Sequence, residues 1–68
     1  MPAGPIYQQL ANQCDVRKLR LELIRRQGGA LELRVPLPSG GGALQAGFNP
    51  SEPDDAASVI LAKLALRA

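Results

Sequence analysis

Few side chains in this chain could do chemistry. Tyr7 and Cys14 come early, while Ser51, Glu52, Asp54 and Asp55 fall together late, and the cations Arg17, Lys18, Arg20, Arg25 and Arg26 crowd one run. There is no His, so the commonest general base is missing and Cys14 has no imidazole to activate it as a nucleophile. A single Cys without His also lacks the usual zinc ligand sets and cannot close an internal disulfide, which makes a reducing compartment the default. Cys14 follows Leu10 at helical spacing and reads as a small core residue. The late carboxylates could hold a hard cation, but they crowd one turn at the start of a helix, where capping and the helix dipole already account for them. Ser39-Gly40-Gly41-Gly42 invites a phosphate-loop reading. No Lys or Thr follows in P-loop order and no helix opens there, so a hairpin turn is expected. We expect no catalytic residue, metal, cofactor or small-molecule substrate.

With 68 residues the chain is one domain at most, and a chain of this length buries only about 60% of its unfolded surface. Eight Lys and Arg against six acids leave a net charge of +2, far from the polyelectrolyte balance of a strong nucleic-acid binder. No apolar stretch approaches the roughly 20 residues that cross a bilayer, and the N-terminus lacks the charged and apolar regions of a signal peptide. An intracellular location, cytoplasm or nucleus, with no membrane partner is expected. Residues 1–4 read as a disordered lead and 5–68 as a single domain.

The elements that must position these groups follow from two periodicities. Pro5 opens a helix in which Ile6, Tyr7, Leu10, Ala11 and Cys14 recur at helical spacing, with Gln8, Gln9, Asn12 and Gln13 on the other side. From Val16 the period becomes two, with Leu19, Leu21 and Leu23 inward against Arg20, Glu22 and Ile24. Arg25-Arg26-Gln27-Gly28-Gly29 turns the chain into a second strand, where Leu31, Leu33 and Val35 alternate with Glu32 and Arg34. Arg20, Glu22, Glu32 and Arg34 then share the outer face and can pair across strands. Pro36 and Pro38 end this strand; Leu44, Ala46 and Phe48 line one face of a third, which Asn49-Pro50 breaks. The last stretch, Ser51 to Ala68, predicts a helix with Ser51 as N-cap, Pro53 in the first turn and Asp54 closing a capping box. Its apolar stripe is Ala57, Ile60, Leu61 and Leu64, with Lys63 and Arg67 off it. The expected class is α+β in the order α-β-β-β-α, with two helices on one face of a three-stranded antiparallel sheet.

This order and several local stretches resemble the double-stranded RNA-binding domain. PIYQQLANQC is similar to that family's first helix, VRKLRLELIRRQGG and ALELRVPLPSGG to its first two strands, ALQAGF to its third strand and ILAKLAL to the second half of its second helix. Members that bind duplex RNA use polar residues of the first helix, the loop between the first two strands, and a lysine cluster that opens the second helix. The resemblance puts Gln9, Asn12 and Gln13 in the first region and Arg25, Arg26 and Gln27 in the second, although the His and Pro usual in that loop are missing. Where the lysines would stand, this chain has Glu52-Pro53-Asp54-Asp55, and carboxylates repel a phosphate strand.

A chain of this pattern without the lysines points to the family's other use, protein interaction or dimerisation through the third strand and second helix, within a protein of RNA processing or silencing. The residues implied are Leu44, Gln45 and Ala46 with Val59, Lys63 and Leu66, and the partner is another protein or a second copy. Val59, Leu66 and Ile24 are expected to stay accessible. Two readings stand beside this one. The first is weak, shape-selective binding of double-stranded RNA through the first helix and the Arg17 to Arg26 run. The second is an unrelated small α+β regulator that binds another protein.

Overall fold

The computed structural model describes residues 4–38 and 40–67. Along the chain come α1 (Pro5–Val16), β1 (Glu22–Arg25), a 3-10 turn (Gln27–Gly29), β2 (Leu31–Pro36), β3 (Ala43–Phe48) and α2 (Pro53–Ala65). The three strands form one antiparallel sheet in the order β1-β2-β3. This is the α+β arrangement expected from the sequence.

The alternation in β2 decides where the core lies. Leu31, Leu33 and Val35 are buried, while Glu32 and Arg34 turn to the other face. Across the ladder on one side Leu31, Leu33 and Val35 meet Phe48, Ala46 and Leu44, as a shared inner face requires. The helices complete that core with Leu10 and Cys14 from α1 and Ala56, Ala57, Ile60 and Leu64 from α2. Each fully buried side chain of Leu or Ile size contributes on the order of 1.5–3 kcal/mol, which matters in a chain this short.

The helices run parallel, N-terminus beside N-terminus. At one end the Tyr7 amide donates to Asp54 Oδ1 at 2.9 Å, and at the other Arg17 Nη1 donates to the Arg67 carbonyl at 3.2 Å. α2 packs on β3, and α1 packs chiefly on α2. The sheet is therefore covered mainly from the β3 side.

Four boundaries differ from expectation, each for a local reason. Val16 is the last residue of α1 and not the start of a strand. The helix closes with Lys18 in the left-handed region at φ 58°, its amide reaching the Asp15 carbonyl at 3.1 Å and the Leu19 amide reaching Cys14 at 2.8 Å. That is a Schellman closure with Lys where Gly is usual. Next, β1 begins at Glu22, and Leu19 and Leu21 pack against the core from a loop. The Arg26 amide bonds the Ala30 carbonyl at 2.8 Å, which fixes the alternation of bonded pairs and makes Glu22–Arg34 the last of them. The next would need an N–H from Pro36, which has none.

The N-cap of α2 is Glu52, with no side-chain cap, so neither Ser51 nor Asp54 forms the expected capping box. Asp54 is spent on α1 instead. Finally Gly4, read as part of the lead, is the N-cap of α1, and its carbonyl accepts from Gln8 at 3.0 Å. Residues 1–3, Ser39 and Ala68 lie outside the described residues. Between β2 and β3 the Leu37 amide bonds the Gly42 carbonyl at 2.8 Å, and Gly40 and Gly42 take the positive φ that the turn needs.

Candidate functional site

The opening of α2 is the most distinctive charged feature. Pro53 occupies the first turn, where its missing N–H costs nothing, and the acids follow at once. Asp54 is half-buried and caps α1 through the Tyr7 amide. A Cβ on Gly4 would run into this carboxylate, so glycine at 4 and aspartate at 54 fit one another. Glu52 and Asp55 face solvent side by side. In its neutral form the Glu52 carboxyl donates a hydrogen bond to Asp55, and this bond first, then the Asp55 charge, pushes it above the usual carboxylate range. The turn thus shows water two acids and no cation.

The residues that the resemblance assigned to RNA do not form one surface. Gln9, Asn12 and Gln13 are exposed on α1, where Asn12 Oδ1 accepts from Gln8 Nε2 at 3.2 Å. Arg26 is tied to Glu32 on the outer side of the sheet at 2.9 Å. Arg25 lies opposite Leu31 and so turns to the inner face, away from its neighbour. Gln27 sits exposed in the turn beside Gly28 and Gly29, both at positive φ. The outer-face pairs expected from the pattern are present, with Glu22 3.4 Å from Arg20 and 3.9 Å from Arg34. Exposed pairs of this kind are worth only tenths of a kcal/mol.

The residues assigned to a protein interface divide in two. Val59, Lys63 and Leu66 follow at spacings of four and three along one exposed side of α2, and Leu66 is 87% exposed. Gln45 is exposed on the outer face of β3, and Ile24 is half-buried on that of β1. Leu44 and Ala46 do not belong with them. Leu44 is buried beneath α2 and Ala46 is half-buried, because both point to the inner face with Phe48. What β3 can offer is its backbone. The Leu37–Gly42 bond sets the phase of the β2–β3 ladder, so Ala43, Gln45 and Gly47 aim their N–H and C=O groups at the open edge.

One feature lies outside every sequence expectation. On the inner face, Leu23 is 50% exposed although Leu33, its neighbour across the ladder, is fully buried. It opens into a groove of about 420 Å³ whose walls include Tyr7, Arg25, Leu31, Phe48 and Pro53. The groove exists because α1 leans on α2 and leaves the β1 side of the sheet uncovered. No sequence signal could have found it, since the alternation that places Leu23 inward does not say whether a helix reaches it.

Cys14 is buried on the inner side of α1; burial pushes its thiol above the usual range and Arg17 pulls it partly back. Among the described residues no three Cys, Asp or Glu side chains converge as metal ligands would, and no helix is long and apolar enough to cross a membrane. In comparisons with known proteins, no protein-family model, curated protein or solved structure matches this chain.

Proposed function

We propose that this chain is a protein-interaction module of the double-stranded RNA-binding-domain type, associating with a partner or a second copy, and that it has given up duplex RNA. The observation that carries this reading is the acidic opening of α2. Glu52 and Asp55 stand exposed where a phosphate-binding helix would present lysines. Two acids beside a phosphate strand add repulsion where binding depends on releasing its counterions. The basic run does not present one surface in their place, because Arg20 and Arg26 already face Glu22 and Glu32 and Arg25 turns to the opposite face of the sheet.

Support for association comes from the β3 side. The β3 edge carries no Lys or Pro among Ala43–Phe48 to discourage pairing, and Lys63 and Leu66 of α2 share a shallow groove with Leu44 of β3. A partner strand laid on Ala43, Gln45 and Gly47 would meet this helix stripe as well. Such a partner would also stabilise a small domain by binding its folded form alone. The parent protein's place in RNA processing or silencing, in cytoplasm or nucleus, belongs to the same proposal.

The experiment pairs two measurements on the purified chain. Solution mass against concentration should show a dimer that Leu66→Glu and Val59→Glu abolish. Titration with a duplex RNA at low salt should show no saturable binding. Micromolar RNA binding with a steep salt slope would overturn the reading, and its loss on mutating Gln9, Asn12 and Gln13 would instead establish the first helix as an RNA contact.

A further inference from the structure

We propose that the β1 edge and its groove form a second docking site, one that takes an extended peptide segment with an apolar side chain and a carboxylate two residues apart. This site stands apart from the β3 side.

Three observations converge on the same two residues. β1 is an outer strand of the sheet, so one of its sides is unpaired. The Arg26–Ala30 bond makes Glu22–Arg34 and Ile24–Glu32 the bonded pairs, which turns the backbone N–H and C=O of Leu23 and Arg25 outward to that open side. The side chains of Leu23 and Arg25 point to the inner face, where both line the groove. The residues able to bond an incoming strand are thus the ones that wall the pocket beside it. This combination of edge hydrogen bonds with pockets for alternate side chains is how a sheet edge captures a peptide.

Charge settles what the peptide must carry. Arg20, Arg26 and Arg34 each lie near a glutamate, whereas Arg25 has no carboxylate partner among the described residues. The groove is otherwise built from Tyr7, Leu31, Phe48, Pro50 and Pro53, which suit an aliphatic or aromatic side chain. Residues two apart on a strand share a face, so an apolar residue over Leu23 places the one two positions along beside Arg25. An acid there pairs with the guanidinium.

The test uses an acetylated octapeptide with Phe and Glu two positions apart among threonines, a matched peptide with Lys for Glu, and a uridine octamer. Amide chemical shifts of the labelled chain should move saturably at Leu23 and Arg25 with the Glu peptide. The Ala43–Phe48 edge, which reports the β3 side, should stay unmoved. Arg25→Glu should weaken the Glu peptide by about tenfold or more and favour the Lys peptide, while Arg25→Gln should lose affinity for the Glu peptide without gaining it for the other. Arg25 is exposed, so both variants should keep the wild-type circular dichroism. Methylating alternate peptide nitrogens should abolish binding. The proposal falls if millimolar peptide leaves β1 unmoved, if Arg25→Glu binds the Glu peptide as before, if the shifts fall on the β3 edge, or if the uridine octamer moves Leu23 and Arg25 in the peptide's place.

Discussion

The two edges of the sheet carry the same kind of residue and meet different fates. Leu44 on β3 and Leu23 on β1 both point inward, yet Leu44 is 8% exposed and Leu23 is 50% exposed. The difference lies above the sheet. α2 lies on β3, whereas α1 rests on α2 and stops short of β1. Their edges also differ in what an arriving strand would find. At β3 the outward backbone groups belong to Ala43, Gln45 and Gly47, whose side chains face the outer surface. At β1 they belong to Leu23 and Arg25, whose side chains face a pocket. A residue's face follows from alternation, but its burial depends on which helix arrives.

The sharpest way to break this contrast is to truncate both leucines and compare urea unfolding. Leu44→Ala should cost about 2–5 kcal/mol, enough to unfold most of a domain this small, while Leu23→Ala should cost less than about 1 kcal/mol. Equal losses would mean that β1 is covered after all. Asp54→Ala comes next. It removes the acceptor of the Tyr7 amide at the groove's end and should cost about 0.5–2 kcal/mol, with hydrogen exchange at Tyr7 rising more than at Leu10.

Lys18→Gly acts on the loop that feeds β1 and has the opposite sign. Relieving a left-handed lysine at φ 58° should raise stability by roughly 0.5–1 kcal/mol, and an unchanged urea midpoint would remove Lys18 as the reason α1 stops there. The smallest effect belongs to Glu52, which stands between Pro50 and Pro53 of the groove. Its raised pKa means the folded state prefers the neutral carboxyl, so the charge subtracts from stability above the carboxylate range and the loss disappears as pH falls through it. Glu52→Gln should raise the thermal midpoint slightly at pH 7, and the gain should vanish at acid pH; a gain at both would trace it to something other than charge.

The ladder of inward residues in β2 and β3 was legible because alternation alone placed Leu31, Leu33, Val35, Leu44 and Phe48. Both helix starts were legible in part, since Pro5 and Pro53 stand in the first turns where prolines belong. The end of α1 was not. A lysine in a position that usually signals itself with glycine gives no warning, and Leu19 and Leu21 keep a period of two with Leu23 while lying outside the ladder. The acidic turn is legible as acidic, but the capping box that its residues spell locally does not form. Asp54 serves a helix 47 residues earlier in the chain, and no local motif encodes a partner at that distance. The burial of Leu44 is hidden for the same reason, because its cover comes from α2.

The tie between Asp54 and Tyr7 also sets an order of events during synthesis. α1 leaves the ribosome with no side-chain cap of its own at Gly4, and its first turn waits for an acceptor made 47 residues after Tyr7. Short helices without tertiary support are marginal in water. The nascent chain therefore carries α1 as an unfinished element until α2 emerges, and the two helices lock together only after the three strands between them have been made.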